Sequence, residues 1–321
     1  MSFERNSSVG SGGDSQLGVP AAGLKRKKRV NKEEIAGTLL ASIPIVGFLI
    51  FGLVPLVLAL AMAFLHMKGF GFEGATAAGF DNFKTVLTDP VFIHSIGNTF
   101  RMGASVLISQ VFALFIAYFL SRPIRGKKFF RMLFFVPYVC SVVAVTLMWK
   151  YMFNTNYGII NQILGRTGDD AIDWLGNSKY YTWAIIIMSV WSGMGFGIVL
   201  YTAALTNVNS NMIEAAKIDG AGGARTFLSI VLPSISPTSF YLLVMGVIGA
   251  LQAFAVTNVL SADGGPNNDG ITIVFYLYRR VFAYNNTMGE ASASAWILSG
   301  MILIVTAIQF IVSKYWVSYD D

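Results

Sequence analysis

Apolar residues fall along this chain in long unbroken runs, not in the one-sided stripes of a soluble helix. Six runs, at 39–65, 102–120, 132–149, 182–206, 238–260 and 291–313, contain no Asp, Glu, Lys or Arg. At 1.5 Å per residue each suffices to cross roughly 30 Å of hydrocarbon. The pattern predicts an all-α integral membrane protein with six transmembrane helices. Residues 1–37 form a basic arm whose Ser- and Gly-rich start is expected to be disordered. Residues 38–97 carry the first transmembrane helix and an external loop, and 98–321 hold the other five helices. The loop at 70–89 is rich in glycine and aromatic residues and has no period that assigns it a structure.

Composition agrees with a lipid environment. Hydrophobic residues make up 55% of the 321 and charged residues only 12%, where soluble domains carry roughly a quarter. The charges that remain are sorted by side. Lys25, Arg26, Lys27, Lys28, Arg29 and Lys32 precede the first run, and Arg122, Arg125, Lys127, Lys128 and Arg131 join the second to the third. The opposite loops hold Glu73, Asp81, Asp89, Asp169, Asp170, Asp173, Asp263 and Asp269. The positive-inside rule therefore puts both termini in the cytoplasm of a multi-pass membrane protein. A pI near 9.3 is explained by this flanking charge, so no nucleic-acid partner is expected. The first run is also too long for a signal-peptide core, and its cleavage is not expected. Cys140 is the only cysteine, and His66 and His94 have no partner at ligand spacing, so no metal site is expected.

Between the fourth and fifth runs lies a polar segment, 211–233, reading NMIEAAKIDGAGGARTFLSIVLP. Asn211 followed by Glu214 predicts a helix N-terminus with Asn211 as the cap. Ala215 and Ala216 keep one face small, and Gly220, Gly222 and Gly223 permit a tight reversal after Asp219. Pro233 is expected to end a second short helix over 224–232.

With Glu214, Ala215, Ala216, Gly220, Ile230, Leu232 and Pro233 at these spacings, the chain resembles the inner-membrane permease subunits of ATP-binding-cassette importers. The resemblance implies that 211–227 is an EAA coupling loop between helices 4 and 5, docking onto a separate ATPase. It implies a heterodimer with a second permease subunit, two ATPase subunits carrying ATP and magnesium, and an extracellular substrate-binding protein. No cofactor is expected in this chain. Asn98 and Thr99 open the part that is similar to the five-helix permease core. Gly264, Gly265, Pro266, Thr272, Tyr276, Tyr278 and Phe282, followed by Gly289, Glu290, Ala291, Ser292 and Ala293, resemble the first permease of maltose and glycerol-phosphate systems. Arg279 and Arg280 depart from that pattern by placing two positive charges outside.

No catalytic residue stands out. Gly126-Lys127-Lys128 lacks the hydroxyl and the earlier glycine of a phosphate-binding loop, and Asp169, Asp170 and Asp173 read as a solvated loop rather than a glycosidase pair. Gly193 and Gly197 form a small-xxx-small pair that lets helices approach closely. Proton- or sodium-coupled carriers commonly place an ionisable group in the bilayer, and these runs have none. Arg101 and Lys150 are expected at external helix ends. A neutral, hydroxyl-rich cargo, a sugar or related polyol, fits such a lining, and an ATP-independent carrier or channel is the alternative class, with an intramembrane enzyme third. Phe254 and Asn258, four apart and so on one helical face, are the candidate cargo contacts, with Gln252, Trp191 and Tyr201 as further candidates.

Overall fold

The computed structural model of the chain describes residues 32–67, 69, 71–283 and 287–318. The arm expected to be disordered lies outside the described residues as far as residue 31. Two compact units divide the chain, Met1–Val54 and Pro55–Asp321. In the first, α1 (Lys32–Phe48) passes into a π-helical turn, Leu49–Leu53. Leu39–Ala63, which includes α2 (Val54–Ala63), is long and apolar enough to cross a membrane.

In the second unit the segment after α2, which has no sequence period, is structured among its described residues. β1 (Leu65–His66) pairs antiparallel with β2 (Thr76–Ala77), and α3 (Asp81–Thr88) follows. Asn82 holds the turn by donating to the carbonyls of Ala63 and Leu65, both at 2.9 Å. Burial of this amide is tolerated because both of its N–H donors are satisfied.

The 32-residue helix α4 (Pro90–Ser121) comes next. Asp89 caps it by accepting from the Val91 amide at 2.8 Å, and Pro90 sits at the first turn, where its missing N–H is harmless. Arg101 therefore lies well inside a helix and not at its end; it is exposed and donates to Asn98 Oδ1 at 3.3 Å. Lys150 does fall in a last turn, that of α6.

The third expected span is broken. α5 (Lys127–Val139) and α6 (Val142–Met152) meet at 100° across Cys140 and Ser141. After α7 (Ile159–Ile163) and a short 3-10 turn, Gly168–Asp170, the unbroken α8 (Ser178–Thr206) follows. Then come α9 (Ser210–Ile218), α10 (Gly223–Thr226), a π-helical turn at Phe227–Val231, and α11 (Leu232–Ser234). Pro233 does not end this piece. Its ring occupies a first-turn position, and the chain bends by 64° two residues later, at Ile235, into α12 (Ser236–Leu251). The fifth expected span is not continuous either, because α12 stops at Leu251 and α13 (Ala255–Leu260) restarts after an extended turn. Thr272 Oγ1 donates to the carbonyl of Ala253 in that gap at 2.6 Å, meeting part of the hydrogen bonding the break leaves open. A 3-10 turn, Pro266–Asn268, then α14 (Ile273–Phe282) and α15 (Met288–Ser313) complete the chain.

Small residues set the spacing at the centre. Ser109, Ala113 and Ala117 of α4 are buried and share one face at steps of four. A Cβ on Gly197 of α8 would lie 2.8 Å from the Ala113 Cβ, and one on Gly193 would lie 3.4 Å from Ser109 Oγ. Gly195 faces the other way, where a Cβ would come within 2.5 Å of the Phe134 carbonyl oxygen on α5. Helix α8 is thus held close to α4 and α5 by three glycines within five positions.

Candidate functional site

Three features of the second unit carry chemistry: a polar knob, a cavity and a clamp at the start of α4. The knob is α9 with α10. Asn209, not Asn211, caps α9, its side chain accepting from the Asn211 amide at 2.9 Å. At the other end the Gly220 amide donates to the Lys217 carbonyl at 3.1 Å and the Ala221 amide to the Ala216 carbonyl at 2.9 Å. This pair of bonds is a Schellman motif. It requires the left-handed backbone of Gly220, φ +76°, whereas Gly222 is extended at φ −66°, so one glycine of the three makes the reversal. Glu214, Ala215 and Asp219 are exposed and Ala216 is half-buried. Ile218 is 86% exposed. Burying its side chain in a partner is worth about 2 kcal/mol.

Phe227, Ile230, Leu232 and Pro233, in the turn below the knob, are partly buried. The Phe227 ring meets the Tyr118 ring of α4 edge-on, 4.7 Å between centroids. Arg122 covers Tyr118 at 4.9 Å and donates to its hydroxyl at 3.2 Å. The knob is thereby fastened to one end of the longest helix.

A cavity of about 570 Å³ opens between α4, α8 and α12, with Tyr138 of α5 and Thr257 of α13 at its edge. Gly246, Gly249 and Ala250 of α12, with Ala253 just past its end, put only small side chains on part of its wall. Ser105, Ser109 and Gln110 of α4, Ser189 of α8 and Tyr241 of α12 supply polar atoms. Among the described residues no Asp, Glu, Lys, Arg or His lines it. The Tyr138 ring stacks on Phe196 at 5.1 Å with 16° between planes.

None of Phe254, Asn258, Gln252, Trp191 and Tyr201 lines that cavity. Phe254 lies outside α13, at φ −141°, and packs on Phe275 and Tyr278 at 5.8 and 4.8 Å. The break therefore removes the shared helical face expected for Phe254 and Asn258, although the Asn258 amide still donates to the Phe254 carbonyl at 3.0 Å. Asn258 is half-buried and Gln252 is exposed at the end of α12. Trp191 packs edge-on against Trp149 at 5.6 Å, and Tyr201 is buried among Ala113, Ile198 and Leu242. The residues that do line the cavity gave little signal beyond Gln110, the one amide side chain in the run 102–120.

Outside the helical core, the 261–283 segment is clamped to the start of α4. Asn98 Nδ2 donates to the carbonyls of Asn268 and Ile271 at 2.9 and 3.1 Å, and Thr99 Oγ1 accepts from the Ile273 amide at 3.1 Å. His94 Nε2 lies 3.1 Å from Asp269 Oδ1. Arg280, whose charge was out of pattern, is paired with both Asp89 and Glu290, the latter at 3.0 Å. It also donates from Nε to the Tyr276 hydroxyl at 2.9 Å, which in turn donates to Asp89 at 2.8 Å. Burial pulls the Asp89 carboxyl upward, but the bonds from Tyr276, the Val91 amide and Arg280 outweigh it and hold the group below its ordinary value. Burial and the bond to Asp89 push the Tyr276 hydroxyl well above its ordinary value.

Residues 109–316 match the family described as binding-protein-dependent transport system inner membrane component. The chain is 35% identical over 309 residues to the probable ABC transporter permease protein YesP of Bacillus subtilis (strain 168), covering 95% of this chain and 98% of that one. It is 32% identical over 311 residues to the diacetylchitobiose uptake system permease protein NgcF of Streptomyces coelicolor, covering 92% and 88%. With the sn-glycerol-3-phosphate transport system permease protein UgpA of Brucella suis it shares 32% over 254 residues, covering 78% and 85%. The fold superposes with TM-score 0.77 and 24% identity on a chain of the bacterial alginate ABC transporter solved with an alginate pentasaccharide-bound periplasmic protein, covering 88% and 95%.

Proposed function

The chain belongs to the family of binding-protein-dependent transport system inner membrane components, and on that premise we propose that it is the permease subunit of an ATP-driven importer for a sugar or related polyol. Each bent helix pair counts as one span, giving six, with both termini and the α9–α10 knob on the cytoplasmic side of the inner membrane. A second permease subunit completes a heterodimer, two ATPase subunits bind ATP and magnesium, and an extracellular binding protein delivers cargo.

The observation that carries this reading is the knob: a helix capped at both ends, projecting Glu214 and an apolar Ile218 from a polar surface. An exposed isoleucine on a rigid mount is what a docking contact needs. When the ATPase pair closes on ATP, the knob is displaced and Phe227 transmits the movement to Tyr118 at the end of α4. The cavity walls on α4, α8 and α12 then change their opening from one side of the membrane to the other. No covalent chemistry takes place in this chain.

Co-purification tests the docking. Ile218→Asp and Glu214→Lys should each reduce the ATPase recovered with the tagged chain at least tenfold while its level in the membrane stays normal. Full recovery of the ATPase with both variants refutes the assignment.

A further inference from the structure

We propose that Gln110 is a specificity-determining residue whose side-chain carbonyl accepts a hydrogen bond from a hydroxyl or amide N–H of an uncharged, ring-shaped cargo seated against Tyr138 and Phe196. The inference rests on reading the cavity as the cargo path.

Gln110 Oε1 is buried with no hydrogen-bond partner among the described residues, and Gln110 lines the cavity between α4, α8 and α12. A buried acceptor without a donor is costly, so native structures seldom keep one without a use. The atom sits 3.6 Å from where a Cβ on Gly197 would be, which places it beside α8. The next residue on α8, Phe196, carries the stacked Tyr138 ring, which is 47% exposed. Amide and aromatic rings therefore border the same cavity. That pairing matches a sugar ring, whose C–H face covers an aromatic plane while its rim offers hydroxyl donors.

The charge of the cargo follows from the same atoms. An ionised carboxylate or phosphate has only acceptors and cannot satisfy Oε1. No cation lines the cavity to neutralise an anion, and no carboxylate lines it to neutralise a cation. Hydroxyl and acetamido groups meet both conditions.

The test is uptake of three labelled probes, maltose, N,N′-diacetylchitobiose and sn-glycerol-3-phosphate, by cells expressing the full chain with the transport genes beside it. The intact chain should take up a neutral disaccharide in preference to the phosphate ester. Gln110→Met keeps the side chain's length without its polar atoms; it should lower that uptake at least tenfold with the amount of assembled complex unchanged, and Gln110→Asn should recover part of it. Gly249→Leu, at a lining position with nothing within 4 Å of its Cβ, fills the cavity and should abolish uptake. Blocked uptake in Gly249→Leu together with normal uptake in Gln110→Met overturns the proposal and leaves the cavity as the path. Normal uptake in Gly249→Leu removes the cavity reading itself. Loss of complex in Gln110→Met, preference for the phosphate ester, or uptake of neither disaccharide also overturns it.

Discussion

Asp89 and Arg280 are 191 positions apart, yet they form an ion pair, and the same Asp89 oxygen also accepts from the Tyr276 hydroxyl. Their side chains are 14% and 22% exposed, so the charges depend on each other more than on water. Arg280→Met would leave Asp89 and Glu290 facing one another without a cation. It should destabilise the protein by about 3 kcal/mol, read as a lower unfolding temperature in detergent. Asp89→Asn should cost less, because the amide oxygen can still cap α4.

The same carboxylate sets an acid limit. Its folded value lies below its ordinary one, so its stabilisation is present above the unfolded pKa of about 3.9 and is lost as pH falls through the folded value. Thermal unfolding of the intact protein should therefore weaken below about pH 4. The loss should be smaller in Asp89→Asn; equal acid sensitivity in the two proteins would show that other groups control it.

Gly220 and its two neighbouring glycines should respond differently to a side chain. Gly220→Val forces a β-branched residue to φ +76° and should cost about 1–2 kcal/mol locally while lowering ATPase recovery and uptake. Gly222→Ala and Gly223→Ala, with nothing within 4 Å of the new Cβ, should leave both near normal. Equal effects at all three would mean that the reversal does not depend on the left-handed residue.

Packing between α8 and its neighbours gives a sharper contrast. Gly195→Ala sets a methyl 2.5 Å from a backbone oxygen that cannot move aside, whereas Gly300→Ala on α15 meets nothing within 4 Å. The first should cost about 1–3 kcal/mol and the second should be neutral, as read from the yield of folded protein in membranes. A tolerated Gly195→Ala would mean that α5 and α8 can separate without loss.

The orientation is checked with single cysteines in a Cys140→Ser background. Lys127→Cys should be shielded from an impermeant thiol reagent in intact cells, and Asp170→Cys and Asn267→Cys should react. The reverse pattern would put the knob outside.

The sequence reading succeeded where a local rule is strict. A left-handed position after a polar helix needs glycine, so the reversal at Gly220 was visible, and uninterrupted apolar runs marked four long helices. It missed the breaks at Cys140–Ser141 and at Gln252–Phe254 because hydropathy is equally high on both sides of a bend. Asn209 and Asn211 are chemically equivalent as caps, and only the direction of the preceding chain selects the first. The α12 wall of the cavity was also hidden, since glycine and alanine announce space by the absence of a side chain.

Helix α4 is unbroken over 32 residues, roughly 48 Å. Asn98 meets the external segment, Gln110 faces the cavity, and Tyr118 bears on Phe227. All three attachments fall along a single run of helix with no break between them. The clamp at Asn98, the cavity wall at Gln110 and the ring contact at Tyr118 are consequently carried by one continuous element.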